Sequence, residues 1–172
     1  MIGRGWIATL VLIGFAAPAG CRSPGDRFND FGCLFIPTLQ IAPQSGAPRD
    51  AGERVADVTA ADVRERNIFP EVVRRIDEIE GKGRVLVVEG AITRFRPESP
   101  ERPAGAEWAA ARSGILIDVR FVDHETSRIV DQGLLRGVDG EWAIEGAEPR
   151  IGRAAGAIVK HLWYNKSNKP EE

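Results

Sequence analysis

Few side chains in this sequence have the type and spacing for chemistry. His124 stands between Asp123 and Glu125, and the two cysteines, Cys21 and Cys33, lie twelve residues apart. A histidine flanked by carboxylates can hold a metal ion or exchange a proton near neutral pH. Neighbouring residues on a turn seldom aim at one ion, and the only other histidine, His161, is distant in sequence. Asp123 and Thr126 read instead as turn formers that bond nearby backbone amides. His161 falls by spacing on the exposed side of the last helix, near its end, where a cation suits the dipole. HExxH, CxxC, GxSxG and P-loop frames are absent from the chain. The sequence therefore points to no catalytic residue, no metal ligand and no cofactor.

The cysteines admit two chemistries. Arg4 and an uncharged apolar run, Trp6 to Ala17, have the layout of an export signal and are too short for a membrane-spanning anchor. Ala19-Gly20 directly before Cys21 suits a thiol that accepts lipid after cleavage, although Pro18 stands where such signals usually carry Leu. Cleavage after Ala17-Pro18-Ala19 would instead leave Cys21 free to pair with Cys33. Downstream, CRSPGDRFND reads as a polar tether, whereas Cys33 sits in the apolar run FGCLFI as a small buried hydrophobe. These surroundings favour lipidation of Cys21, with several acyl chains sufficient for stable anchoring. Removal of residues 1–20 takes one arginine and leaves a formal charge of −3. That balance suits neither a nucleic-acid binder nor a polybasic membrane binder.

The elements that must position these residues follow in order. Cys33 to Pro43 reads as one strand with Pro37 at an edge or bulge. PQSGAPRDAGER is a loop, and the helix that follows covers Val55 to Asn67. Val72, Val73, Ile76 and Ile79 fit helical spacing, with a short edge strand over Glu71 to Arg75 as the alternative. Arg84 to Arg96 is a central strand whose Gly90 marks a bulge or a close contact. A long connection carries Trp108. Ile115, Ile117, Val119 and Phe121 then alternate, and a turn leads into the returning strand of a hairpin. A loop with Trp142, with a short strand over Glu141 to Ile144 as an alternative, precedes the final helix. There Ile151, Ala154, Ala155, Ile158, Val159, Leu162 and Trp163 form one apolar stripe, and small residues among them would let the helix lie close on a sheet. Trp108 and Trp142, both in connections, are candidate partner contacts.

With these residues in view, GRVLVVEGAITRFRP, ILIDVRFVDHETSRIVDQG and GRAAGAIVKHL resemble a bacterial envelope lipoprotein family whose domain has no known function. The resemblance rests on Val88, Glu89, Gly90, Ile92 and Phe95 in the strand, and on Asp123, Thr126 and Val130 in the hairpin, with Ser127 where Gly is usual. It implies a fold similar to the amino-terminal domain of TolB and to periplasmic curli-secretion lipoproteins, in which Phe69 to Arg75 is a short edge strand. Fold likeness does not transfer function. The expected fold class is α/β (α+β): a mixed, mostly antiparallel sheet of four to five strands with two helices packed on one face. The expected layout is a signal peptide over 1–20, a tether over 21–31, one domain over 32–164 and a disordered tail over 165–172. The expected function is a non-enzymatic lipoprotein on the periplasmic face of the outer membrane, binding or scaffolding an envelope partner. Arg22 after the lipidated cysteine implies outer-membrane sorting by the same resemblance. The alternative is a soluble periplasmic ligand-binding protein or enzyme with a Cys21–Cys33 disulfide.

Overall fold

The computed structural model describes residues 27–96, 114–138 and 140–166. Six strands and two helices follow in the order β1 (Cys33–Phe35), β2 (Gln40–Ile41), α1 (Ala51–Glu65), β3 (Glu71–Val73), β4 (Val85–Phe95), β5 (Ile115–Asp123), β6 (Ile129–Arg136), α2 (Pro149–Asn165). The strands form one mixed sheet in the order β3-β1-β4-β5-β6, with β2 also on β4. The long ladders β4–β5 and β5–β6 are antiparallel; the short pairings of β1 and β2 with β4, and of β1 with β3, are parallel. The expected class holds, with six strands rather than four or five. The extra strand arises where the single strand expected over Cys33–Pro43 breaks. Pro37 has no amide to donate to a ladder. Two residues on, the Leu39 amide bonds the Gly52 carbonyl instead of the sheet.

One face of the sheet buries against both helices. Ile115, Ile117, Val119 and Phe121, alternating along β5, are all fully buried there. They meet Leu86, Val88 and Ile92 of β4, and the stripe Ile151, Ala154, Ala155, Ile158 and Leu162 of α2. A smaller cluster on the other face gathers Cys33, Phe35, Val73, Val85 and Val87, with Ile79 against it. Removing apolar surface on this scale from water supplies most of the driving force for the fold.

Local rules explain the remaining differences. α1 begins at Ala51, four residues before the expected start, because Ala51 and Gly52 are buried and extend its packed face. Glu71–Val73 is a strand against its helical spacing. Parallel pairing to β1 overrides periodicity in so short a run. Glu141–Ile144 is no strand; Gly140–Trp142 is a single 3-10 turn. Of the tether expected over 21–31, residues 21–26 lie outside the described residues, and Phe28 and Phe31 lie in the core. The domain also continues one residue past its expected end at 164 into the last helical residue, Asn165.

Several glycines mark close approaches, two of them at Gly90 and Gly156. A Cβ on Gly90 would stand 2.9 Å from the Asp118 carbonyl oxygen, so this glycine serves close strand packing. The register shift of β4 falls beyond it, between Ile92 and Arg94. A Cβ on Gly156 would run into the Trp142 carbonyl oxygen. The small residues of α2 thus let the 140–144 turn, as well as the sheet, lie against the helix. We expect Gly156→Ala to destabilise the domain by about 3 kcal/mol, since backbone cannot yield as a side chain does. Thermal unfolding reads this; an unchanged midpoint would refute the contact.

Candidate functional site where the chain joins the fold

The side chains that sequence reasoning singled out do not converge. His124 is exposed on the β5–β6 turn, and Cys21 and Trp108 lie outside the described residues. Cys33 is a fully buried free thiol whose pKa is raised, first by that burial. Trp142 is half-buried. Its ring stands edge-on to Trp163 at 6.3 Å between centroids, and the Arg66 guanidinium lies 5.2 Å over it. It pins the 140–144 turn to α2. Among the described residues, no three His, Cys, Asp or Glu side chains are grouped to hold a metal ion.

A different set of residues does converge, at the end of the domain where residue 27 follows the undescribed amino-terminal segment. Phe28 is fully buried, 5.1 Å between ring centroids from Phe121. His161 stacks on Phe121 at 4.8 Å and 7°, and its ring lies 6.3 Å from that of Phe28. Its Nε2 lies 2.9 Å from Asp131 Oδ2, while Arg27 Nη1 donates to Asp131 Oδ1 at 2.8 Å. His161 is therefore not on the exposed side of α2, as spacing implied. Its side chain is 22% exposed because Asp131 of β6 draws it over the sheet. The Phe28 amide donates to the Asn165 carbonyl, and Lys166 Nζ donates to the Phe31 and Phe28 carbonyls at 2.6 and 3.4 Å. Burial pushes the Lys166 pKa down.

Beside this clasp, Asp123 organises the turn. Its Oδ1 accepts from the Glu125 and Thr126 amides at 3.0 and 3.3 Å, which is the turn-forming role expected of it. Its Oδ2 accepts from Arg84 Nη2 at 2.6 Å. That bond to Arg84, aided by the two amides, holds the Asp123 carboxyl below the usual carboxylate range against the cost of burial. Arg84 also lies 4.5 Å over the Phe31 ring. Next to these groups is a cavity of about 320 Å³, lined by Arg27, Phe31, Arg84, Arg128, Ile129 and Val130 with Asp123 and Thr126. A second cavity of about 360 Å³ opens along β4 at the break between β1 and β2, beside Pro37, Thr38, Glu89, Asp118 and Arg120. Sequence reasoning missed the clasp because its members are scattered from Arg27 to Lys166. The one local signal was a pair of phenylalanines, Phe28 and Phe31, inside a polar stretch.

No protein-family model and no curated protein matches the sequence. Solved structures do share the fold. A PelC dodecamer from Paraburkholderia phytofirmans has a TM-score of 0.52 at 14% identity, over 86% of this chain and 96% of its own. A point variant of that protein in a second crystal form has a TM-score of 0.50 at 14% identity, over 80% of this chain and 91% of its own. Protein XCC0632 from Xanthomonas campestris, of family DUF330, has a TM-score of 0.44 at 11% identity, over 78% of this chain and 81% of its own.

The depressed pKa of Asp123 gives a signed pH dependence. Its ionised form is stabilised in the fold, so the contribution is full above the ordinary carboxylate pKa of about 3.9 and fades as pH falls through the lower folded value. Asp123→Asn should cost roughly 2 kcal/mol at pH 7, as expected for hydrogen bonds to a charge. The difference should shrink as pH falls from 5 to 2. Denaturant unfolding across pH measures it; a gap that stays constant or widens toward acid would refute the assignment.

Proposed function

We propose that this chain is a non-enzymatic lipoprotein on the periplasmic face of the outer membrane. In this reading Cys21 carries the lipid, and the domain is a binding or scaffolding module for an envelope partner. The observation that carries the reading is the sequence around Cys21: an export-type signal, small residues before the cysteine, then a short polar stretch. The architecture is compatible with it. Phe28 begins the core only seven residues after Cys21, so the domain hangs on a short leash. The likeness to bacterial lipoprotein domains of TolB type belongs to the same proposal. Trp142, packed against its own helix, contributes to a partner surface mainly by fixing the turn that carries it. Trp108 is the second proposed contact.

The test is fractionation of cells that make the chain at native level. We expect the protein in the outer-membrane fraction, and Cys21→Ala in the soluble periplasm or uncleaved in the inner membrane. Crosslinking in the envelope should capture a protein partner or further copies of the chain. A wild-type chain found soluble in the periplasm would favour the disulfide alternative, and a chain that crosslinks to nothing would count against the scaffolding role.

A further inference from the structure

We propose that the arginine-rimmed cavity beside Phe31 binds the phosphate headgroup of an anionic lipid in the leaflet that holds the chain. The inference rests on the lipid-anchor reading above and assigns a ligand to a site that reading leaves empty of role.

The chemistry of the lining is the first support. Arg27, Arg84 and Arg128 surround one cavity with an apolar wall of Phe31, Ile129 and Val130. The neighbouring carboxylates sit beneath the arginines. The Asp123 side chain is 3% exposed and that of Asp131 is 12%, against 43% for Arg84 and 42% for Arg27. Their oxygens are already engaged, by the Glu125 and Thr126 amides, Arg84, Arg27 and His161. Guanidinium groups carry five donors each, so Arg27 and Arg84 keep donors for a further acceptor. Arg128 is exposed at the rim. Two acids remain exposed nearby: Asp30, which already faces Arg84 at 3.4 Å, and Glu125 in the adjoining turn. At the mouth three guanidinium groups stand with two exposed carboxylates, above two largely buried carboxylates whose oxygens are already bonded. Planar guanidinium groups match phosphate oxygens in pairs. Ile129, half-exposed at 49%, offers apolar contact to the glycerol and first acyl carbons.

The position of the cavity selects the source of the phosphate. Arg27 is six residues from Cys21, and an extended chain spans at most about 3.6 Å per residue. With the lipid on Cys21 in the bilayer, the cavity lies within about 20 Å of the acyl anchor. Tethering keeps the headgroups at high effective concentration, so weak intrinsic affinity suffices. Bound there, a headgroup would orient the domain, with the β5–β6 turn toward the membrane and the open face of the sheet to the side.

The test uses the Cys21→Ala chain from residue 21 to 172, made without the leader and so without detergent, titrated with monomeric dihexanoyl phosphatidylglycerol by calorimetry. We expect one saturable site per chain. Arg128→Gln and Ile129→Ser, both exposed substitutions, should each weaken it at least fivefold with the melting temperature unchanged. Dihexanoyl phosphatidylcholine should bind at least tenfold more weakly. The proposal is overturned by absence of saturation, by equal binding of the two lipids, or by indifference to both substitutions. It is also overturned if glycerol phosphate binds as tightly as the lipid and Ile129→Ser has no effect, which would mark a site for a soluble phosphate compound. The titration needs no anchor. Failure here with the wild-type chain in the outer membrane rejects the headgroup site alone, whereas a wild-type chain soluble in the periplasm rejects the anchor.

Discussion

The fold depends on the burial of Phe28 against Phe121. Phe121 is the fourth inward residue of β5 and belongs to the core between sheet and helices. Phe28 and His161 both pack on it, and their rings lie 6.3 Å from each other. Loss of a buried phenylalanine typically costs about 3–5 kcal/mol, a large part of a domain's net stability. The same contact joins the start of the described chain to the end of α2. Around it, polar bonds satisfy groups that burial would otherwise strand: Arg27 and His161 share the Asp131 carboxylate, and Lys166 takes the Phe28 and Phe31 carbonyls. An anchor that pulls on residue 27 would therefore pull on the core itself rather than on a frayed end.

This arrangement divides the molecule by task. The helices cover one face of the sheet and leave the other to a small apolar cluster and a polar, open stretch of β4, β5 and β6. Close backbone contacts at Gly90 and Gly156 keep the strands and the 140–144 turn tight against their neighbours. Rigid elements then present the groups that have chemistry to offer: the arginines of the cavity, and the aromatic side chains of the turn and α2.

The long, periodic elements were legible in the sequence. Alternation of Ile115, Ile117, Val119 and Phe121 identified β5, because a half-buried strand has a period of two. The stripe from Ile151 to Leu162 identified α2 for the same kind of reason. Glu71–Val73 was harder, since three residues carry no period and their strand state comes from β1. His161 was misplaced because helical spacing sees only its own helix, while its position is set by Asp131, thirty residues away. Phe28 and Phe31 sat in a polar stretch that read as tether, and only their distant partners show them as core. The candidate site was therefore hidden: its arginines belong to the chain before β1, the start of β4 and the β5–β6 turn, and no local motif joins them.

In the proposed function Cys21 bears lipid, and Phe28 begins a domain held close to the membrane. The most direct measurement is the intact mass of the mature protein purified from its native envelope. The expected result is a chain starting at Cys21, heavier than its residues by the mass of the attached acyl groups, with Cys33 as a free thiol. A chain starting at Gly20, without added mass and two hydrogens short through a Cys21–Cys33 bond, would contradict it.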